Sequence, residues 1–213
     1  GEISMKLVVI GGVAGGASAA ARMRRLNEKA EVIVLERGRD VSFSNCCLPY
    51  YLSDVVQDSR NLILMNPKKF KKTHNIETRV LNEALSIDPK GHTVRVRNLT
   101  DGTEYTESYD KLILSPGAAP VRPKSIEGVD RDHVFTVRNV MDIEAIKNFI
   151  TAGNLQNIAV IGGGFIGIEC VENLVMAGRH VSLIEAFSQV LAPFDYDMVQ
   201  TLHKELYDNK VDM

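Results

Sequence analysis

The feature that most limits the fold of this chain is a glycine-rich turn that occurs twice between an apolar strand and a helix. The first turn, residues 11–16, follows the apolar run 6–10 and precedes a helix predicted from about Gly15 to Asn27. A second apolar run, residues 31–35, ends at Glu36, 20 residues after Gly16. Strand, tight turn, helix, strand and terminal acid in this order are typical of the βαβ unit that binds a dinucleotide.

Each part of this first turn has a physical role in such a unit. Gly11 permits the tight turn, and Gly16 lets the helix pack closely on the strand. The helix N-terminus offers free N–H groups and a positive dipole end to a pyrophosphate, and Glu36 can accept hydrogen bonds from a ribose. The middle glycine of G-x-G-x-x-G is replaced by Val13. Neighbouring glycines, the strand context and the terminal acid compensate for that departure.

The second turn, residues 162–167, follows the apolar run 158–161 and has the complete G-x-G-x-x-G pattern. Its helix is predicted to reach about Ala177, with Gly178 as the stop. The next strand, residues 181–184, ends at Glu185. Two glycine-rich turns without nucleotide remain the alternative. Because two full βαβ contexts must arise independently under that alternative, dinucleotide binding is favoured.

The region between the turns predicts further sheet structure. Residues 77–80 and 111–114 are predicted strands, and residues 85–109 have the alternation and the turn signals of antiparallel hairpins. We therefore predict an α/β fold with two Rossmann-like dinucleotide-binding units. The first would be three-layered, with a parallel sheet plus an antiparallel hairpin crossover. The second would be incomplete, because a helix predicted from about Asp195 to Asn209 is followed only by the start of a strand.

A cysteine stands just after the first unit, in Ser42-Phe43-Ser44-Asn45-Cys46-Cys47-Leu48-Pro49-Tyr50-Tyr51. The run from Asn45 predicts the first turn of a short helix, capped by Ser42 or Asn45, and such a helix N-terminus would stabilise a thiolate at Cys46. A buried structural cysteine is the alternative. Adjacent cysteines form only a strained disulfide ring, so a Cys46–Cys47 bond is not expected as the redox pair. Cys170 is expected in the core.

These motifs together resemble a known family. The turn at 11–16, the Ser-Phe-Ser-Asn-Cys run, the segment 109–118 and the turn at 162–167 are similar to the single-cysteine flavoprotein pyridine nucleotide–disulfide oxidoreductases. Within them the chain is most similar to coenzyme A-disulfide reductases and coenzyme A-persulfide (polysulfide) reductases. Asn45 separates this group from NADH oxidases and peroxidases, which carry a different residue there.

The resemblance implies a domain order. Residues 5–120 would be the N-terminal part of an FAD-binding domain, residues 121–152 a linker strand and helix, and residues 153–213 the first half of an NAD(P)H-binding domain. The expected cofactor-binding residues are Gly11, Gly12, Val13, Ala14, Gly15, Gly16, Glu36, Arg37, Val80, Ser115, Pro116, Gly117, Gly162, Gly163, Gly164, Phe165, Ile166, Gly167, Glu169 and Glu185.

The resemblance also implies a reaction. Electrons would pass from NAD(P)H through FAD to Cys46, which reduces a coenzyme A disulfide or persulfide. The residues implied to line the coenzyme A channel are Ser18, Arg22, Arg25, Ser42 and Asn45. From the residues alone, the arginines at 22, 24 and 25 would form a solvated helix face. Two alternatives stay open: an NADH oxidase or peroxidase that uses a cysteine sulfenic acid, and an inactive nucleotide-binding fragment.

Composition limits the remaining possibilities. A net charge of −2 argues against a nucleic-acid partner, and no apolar run approaches a membrane span. Three cysteines give no secreted disulfide framework, so we expect a cytoplasmic enzyme. The five histidines lack metal-ligand spacing, and no metal is expected. Met5 is expected to be the native start, and a full-length parent is expected to be a homodimer with a small-molecule thiol or disulfide substrate.

Overall fold

The computed structural model describes residues 4–213 and divides the chain into two compact units. The first contains the chain up to residue 44 and residues 63–119, and the second contains residues 45–62 and 120–213. The change of unit near residue 120 lies at the predicted domain boundary. The cysteine segment, however, groups with the second unit instead of the first. The assignment of a nucleotide to each unit stays a prediction.

The first unit is built around a parallel sheet with the strand order β3-β2-β1-β7. Its elements are β1 (Lys6–Ile10), α1 (Ala14–Leu26), β2 (Glu31–Glu36), α2 (Pro67–His74), β3 (Glu77–Val80), β4 (Asn82–Asp88), β5 (Thr93–Asn98), β6 (Glu104–Ser108) and β7 (Lys111–Leu114). β1 pairs with β2 on one side and β7 on the other. From Leu7 to Ile10 its side chains are apolar because both faces of the sheet are covered.

Three layers make up this unit, as the sequence predicts. On one face of the sheet, Ala17 and Ala20 of α1 and Phe70 of α2 pack in a core with Val9. On the other face, Val8, Ile33 and Leu35 pack against Val94 and Val96 of the antiparallel sheet β4-β5-β6. The predicted fold class is therefore confirmed, including the hairpin crossover between β3 and β7.

The second unit repeats the βαβ pattern with fewer strands. Its elements are α3 (Val140–Ala152), β8 (Asn157–Ile161), α4 (Phe165–Met176), β9 (His180–Ile184) and α5 (Tyr196–Asp208). β8 and β9 pair in parallel, and Asp212 adds a single parallel bridge to Ser182 of β9. A capping box between Asn139 and Asp142 begins α3. The end of the chain thus starts the strand that its sequence predicts.

Two further predictions concern the linker after residue 120 and the start of the chain. The linker strand expected after residue 120 is wrong, because residues 121–139 form turns and irregular backbone, and only the helix that follows is present. The native start proposed at Met5 stays a prediction, and residues 1–3 are outside the described part of the chain. The first strand begins at Lys6. None of the helices within residues 4–213 is long and apolar enough to cross a membrane.

Candidate functional site

The first glycine turn is held by contacts that leave no room for side chains. Gly11 has a φ of +96°, and a Cβ on it would lie 1.9 Å from the carbonyl oxygen of Ser115. A Cβ on Gly16 would lie 1.7 Å from the carbonyl oxygen of Gly11. Both positions therefore require glycine, Gly11 for the turn and β7 contact, and Gly16 for the approach of α1. These are the roles that the sequence predicts.

Glu36 closes this turn from the end of β2. Its Oε2 accepts a hydrogen bond from the backbone N–H of Gly12 at 2.8 Å, and its Oε1 accepts from Gly38 at 2.7 Å. The carboxylate is thus fixed by the main chain. Because each carboxylate oxygen can accept a second hydrogen bond, the residue can still receive a ribose hydroxyl.

A cavity of about 270 Å³ opens beside this turn, at the carboxyl ends of β1, β2 and β7. β2 and β3 follow on one side of β1, and β7 lies on its other side, so that the strand order reverses at β1. Open α/β sheets bind ligands at the point where the strand order reverses. The residues that line it are Ile10, Gly11, Leu35, Glu36, Arg37, Asn82, Glu83, Ala84, Pro116, Gly117, Ala118 and Ala119. The volume and the wall of Gly, Ala and two acids fit part of a dinucleotide such as FAD.

The cavity gathers only some of the predicted cofactor residues. Gly11, Glu36, Arg37, Pro116 and Gly117 form its walls. The remaining predicted residues of the first unit lie outside its walls: Gly12, Val13, Ala14, Gly15, Gly16, Val80 and Ser115. Sequence reasoning missed the wall that β4 contributes. β4 belongs to a separate antiparallel sheet, and no local pattern in its sequence shows that it lies near the ends of β1 and β2.

The second glycine turn has the same carboxylate-to-backbone hydrogen bonds as the first. Gly162 has a φ of +101°, and a Cβ on Gly167 would lie 1.9 Å from the Gly162 carbonyl oxygen. Glu185 Oε2 accepts from the N–H of Gly163 at 2.6 Å, and Oε1 accepts from Phe187 at 3.0 Å. These backbone bonds, the one from Phe187 foremost, lower the pKa of Glu185. The two turns also share the next contact, because the carbonyls of Gly12 and Gly163 each accept an N–H from the following loop.

The surroundings of this second turn are open. Gly164 has no atom within 4 Å of the position that a Cβ would take, and Phe165 and Ile166 are exposed at the start of α4. Glu169 is half-buried one turn further along α4. The adjacent Cys170 is buried, and burial raises the pKa of its thiol to about 11. Cys170 is therefore an inert core residue, as predicted.

The cysteine segment belongs to the second unit and differs from the predicted helix. Asn45–Cys47 and Pro49–Tyr51 form two separate 3₁₀ turns of three residues each. The single helix predicted from Asn45 is therefore replaced by two 3₁₀ turns, and the stabilisation of a Cys46 thiolate stays a prediction. The predicted cap by Asn45 is also absent, since its buried Oδ1 has no hydrogen-bond partner. Cys46 is exposed, whereas Cys47 is partly buried.

The residues implied to bind coenzyme A are only partly brought together. Ser18, Arg22 and Arg25 are exposed along one side of α1, at the spacing that aligns side chains on a helix. Ser42, in the first unit, has a left-handed φ of 48° and is half-buried, as is Asn45 in the second unit.

Arg24 corrects the expectation of a solvated arginine face. Its side chain is buried, and its guanidinium donates to the carbonyls of Asn27, Glu28, His74 and Asn75. It ties the end of α1 to the end of α2. Within residues 4–213 no cluster of three or more His, Cys, Asp or Glu side chains could hold a metal ion.

A family model described as pyridine nucleotide-disulphide oxidoreductase matches residues 5–213. The chain belongs to this family. It is 39% identical over 201 residues to a coenzyme A disulfide reductase of Staphylococcus aureus, covering 94% of this chain and 45% of that protein. The chain thus spans less than half the length of the curated relatives it matches.

Solved structures of family members have the same fold. A reduced Bacillus anthracis CoADR-RHD matches with a TM-score of 0.95 and 44% identity, over 99% of this chain and 38% of that one. An NAD-dependent persulfide reductase from A. fulgidus matches with 0.92 and 34%, over 98% and 39%. A water-forming NADH oxidase from Lactobacillus brevis, bound to NADH, matches with 0.89 and 34%, over 98% and 46%.

Proposed function

We propose that this chain is the nucleotide-binding and cysteine-bearing portion of an enzyme that passes electrons from NADH through FAD to Cys46, which reduces a coenzyme A disulfide or persulfide. The observation that carries the proposal is the exposed thiol of Cys46 in a chain that builds the same dinucleotide turn twice. Two such turns suit an enzyme that transfers electrons between two nucleotides.

The first unit is assigned to FAD. Its cavity lies at the carboxyl ends of parallel strands, where Glu36 can meet a ribose and the uncapped N-terminus of α1 can meet a pyrophosphate. When bound, FAD accepts a hydride from the nicotinamide and returns two electrons to sulfur.

The second unit is assigned to NADH in preference to NADPH. Glu185 stands at the end of β9, where a carboxylate accepts from a ribose 2′-OH and repels a 2′-phosphate. The following Ala186, Phe187 and Ser188 supply no cation. An engineered form of the L. brevis oxidase that binds NADPH carries five substitutions, one replacing an aspartate by alanine and two introducing arginine. This chain keeps the acid Glu185 and has no arginine among the three residues that follow it.

Cys46 is assigned the sulfur chemistry. Its thiolate attacks one sulfur of a coenzyme A disulfide, so that a Cys46–coenzyme A bond forms and one coenzyme A thiolate leaves. Two electrons then break that bond, which releases the second coenzyme A and restores the Cys46 thiolate. The hydride and one proton from water balance the two thiols produced per NADH. A persulfide substrate follows the same balance, with hydrogen sulfide as the second product.

The choice of coenzyme A rests on the relatives and on α1. The S. aureus protein carries that activity in its name. Ser18, Arg22 and Arg25 offer a hydroxyl and two exposed guanidinium groups, which suit a ligand with several phosphates.

The test compares Cys46→Ser with Cys47→Ala in the full-length enzyme. We expect Cys46→Ser to abolish the release of thiol from coenzyme A disulfide while the flavin absorbance stays, and Cys47→Ala to retain most of the activity. NADH oxidation and thiol release are followed together, so that electrons reaching oxygen are distinguished from electrons reaching sulfur. Equal loss of activity in both variants would contradict a single redox thiol.

The main competing function is that of an NADH oxidase. The observation that favours it is the match to the L. brevis enzyme over 98% of this chain. In that case Cys46 would cycle through a sulfenic acid, with oxygen or peroxide as the acceptor. NADH consumption that needs oxygen and releases no thiol would favour it. Absence of turnover by the 213-residue chain with either acceptor, where the full-length enzyme is active, would favour the inactive nucleotide-binding fragment.

A further inference from the structure

The segment that carries Cys46, residues 45–62, is fastened to two helices of its own unit. Ser53 and Ser59 reach these helices through their hydroxyls: Ser53 bonds to Asn173 of α4, and Ser59 bonds to Glu144 of α3. Lys147 of α3 adds bonds to Tyr51 and Asp54. Polar side chains therefore hold this segment from two sides.

Asn173 is the most informative of these residues. It is completely buried in the third turn of α4, where its neighbours Val171 and Leu174 are buried and apolar. Its Nδ2 donates back to the Glu169 carbonyl at 2.8 Å, and its Oδ1 accepts from Ser53 Oγ at 2.5 Å. Asparagine is a poor residue for a helix interior, and a buried amide costs stability unless it is bonded. The bond to Ser53 is its tertiary contact with the cysteine segment.

Lys147 makes the second attachment. Its Nζ donates to the Tyr51 carbonyl at 2.7 Å and to Asp54 Oδ1 at 2.5 Å, and it lies 4.1 Å from the centre of the Tyr51 ring. The Lys147 side chain is only 19% exposed, whereas Asp54 is 69% exposed, so that water screens the bond to the Tyr51 carbonyl less than the bond to Asp54. The ammonium group of Lys147 thus contacts both the main chain and the ring of Tyr51.

These attachments connect to Cys46 through successive turns. The N–H of Tyr51 donates to the Leu48 carbonyl at 3.1 Å, and the N–H of Leu48 donates to the Asn45 carbonyl at 3.3 Å. Leu48 is buried and cannot rotate away without exposing its side chain. A displacement at Tyr51 therefore passes along the backbone to the turn that presents Cys46 and covers Cys47.

We propose that Asn173 and Lys147 are positioning residues that keep the Cys46 thiol outward and the Cys47 thiol partly covered. The inference rests on the proposed function of Cys46, to which it adds how one of two adjacent thiols is selected. Neither residue touches the reacting sulfur. Each acts through the backbone of residues 48–53.

The test measures which thiol reacts. The folded full-length enzyme is treated with a limiting amount of iodoacetamide, and mass spectrometry gives the ratio of modified Cys46 to modified Cys47. We expect Ser53→Ala and Lys147→Met each to lower this ratio by about fivefold, the equivalent of one lost hydrogen bond. Ser53→Thr keeps the hydroxyl and should restore the ratio to that of the unaltered chain.

Arg179→Met is the matched control. Arg179 follows α4 and donates to the Leu155 carbonyl at 3.0 Å, without a bond to residues 45–62. The Arg179→Met substitution should lower the melting temperature and leave the ratio of modified Cys46 to modified Cys47 unchanged. An unchanged ratio in Ser53→Ala or in Lys147→Met would overturn the role of Asn173 or of Lys147, respectively. An equal fall in Arg179→Met would overturn both. This readout needs neither flavin nor turnover, so it is independent of whether Cys46→Ser abolishes activity.

Discussion

Glu185 binds the N–H of Gly163 at 2.6 Å, so that the acid at the end of β9 holds the glycine turn at the end of β8. The same bond joins Glu36 to Gly12 in the first unit at 2.8 Å. An acid assigned from sequence to a ribose therefore also stabilises the glycine turn that we propose as the pyrophosphate site. Substitution of either acid is expected to affect both the turn and the nucleotide.

Nucleotide preference should depend on Glu185. In the full-length enzyme we expect a higher kcat/KM for NADH than for NADPH, and we expect Glu185→Ser to reduce this preference by about tenfold or more, since the repulsion of a 2′-phosphate is removed. Steady-state kinetics with both nucleotides measure the effect. Glu36→Ser, in the other unit, serves as the control and should lower flavin content without changing the NADH-to-NADPH ratio.

Two glycines of the second turn should separate folding from binding. Gly167→Ala places a Cβ 1.9 Å from the Gly162 carbonyl oxygen, so we expect a loss of about 1–3 kcal/mol in the free energy of unfolding. Gly164→Ala meets no atom within 4 Å, and because Gly164 is the N-cap of α4 it should cost at most about 1 kcal/mol. It should nonetheless weaken NADH binding, because the open space above Gly164 is where the pyrophosphate would approach. Denaturant unfolding and NADH titration are the two measurements. Normal NADH affinity in Gly164→Ala would contradict that placement.

Substitution of two neighbouring arginines on α1 should have different effects, one on stability and the other on substrate binding. Arg24→Met removes the donor to four carbonyls and is expected to cost about 2–4 kcal/mol in the free energy of unfolding. Arg25→Met changes an exposed side chain, so its stability should stay within about 0.5 kcal/mol of the unaltered chain. Its expected effect is a higher KM for coenzyme A disulfide. A stability loss in Arg25→Met equal to that in Arg24→Met would contradict this division.

Acid should weaken the first unit partly through Glu107. Burial opposes ionisation of this carboxyl, but hydrogen bonds from Lys6 and Arg79 outweigh burial and lower its pKa. A folded-state pKa below the ordinary 4.5 means that the contribution is complete above pH 4.5 and is lost as the pH falls through the lowered value. Glu107→Gln should therefore be about 1–3 kcal/mol less stable at pH 7, with the difference shrinking in acid.

The control for this prediction is Glu104→Gln. Glu104 pairs with Arg97 at the surface of the same antiparallel sheet, and its side chain is 38% exposed. Solvent screens such a pair, so this variant should unfold close to the unaltered chain at every pH. Denaturant unfolding between pH 3 and pH 7 compares the variants. A Glu107→Gln difference that persists undiminished at the acid end would contradict the assignment.

The sequence by itself determined the two strand–turn–helix–strand units, because their requirements are local. Gly11 and Gly162 need a positive φ, Gly16 and Gly167 need close backbone approach, and buried parallel strands need unbroken apolar runs. The hairpins between residues 82 and 108 were equally predictable, since alternation and turn residues lie within each segment.

Only the tertiary structure decided which side chains of one local pattern take which role. Arg24 is buried and Arg25 exposed because the end of α2 presents carbonyls to one side of α1 alone. The cysteine segment forms two 3₁₀ turns instead of one helix, and Asn173, 120 residues away in sequence, binds Ser53 within it. Such contacts join distant segments, and the free energy of burying their polar groups depends on partners that no local pattern specifies.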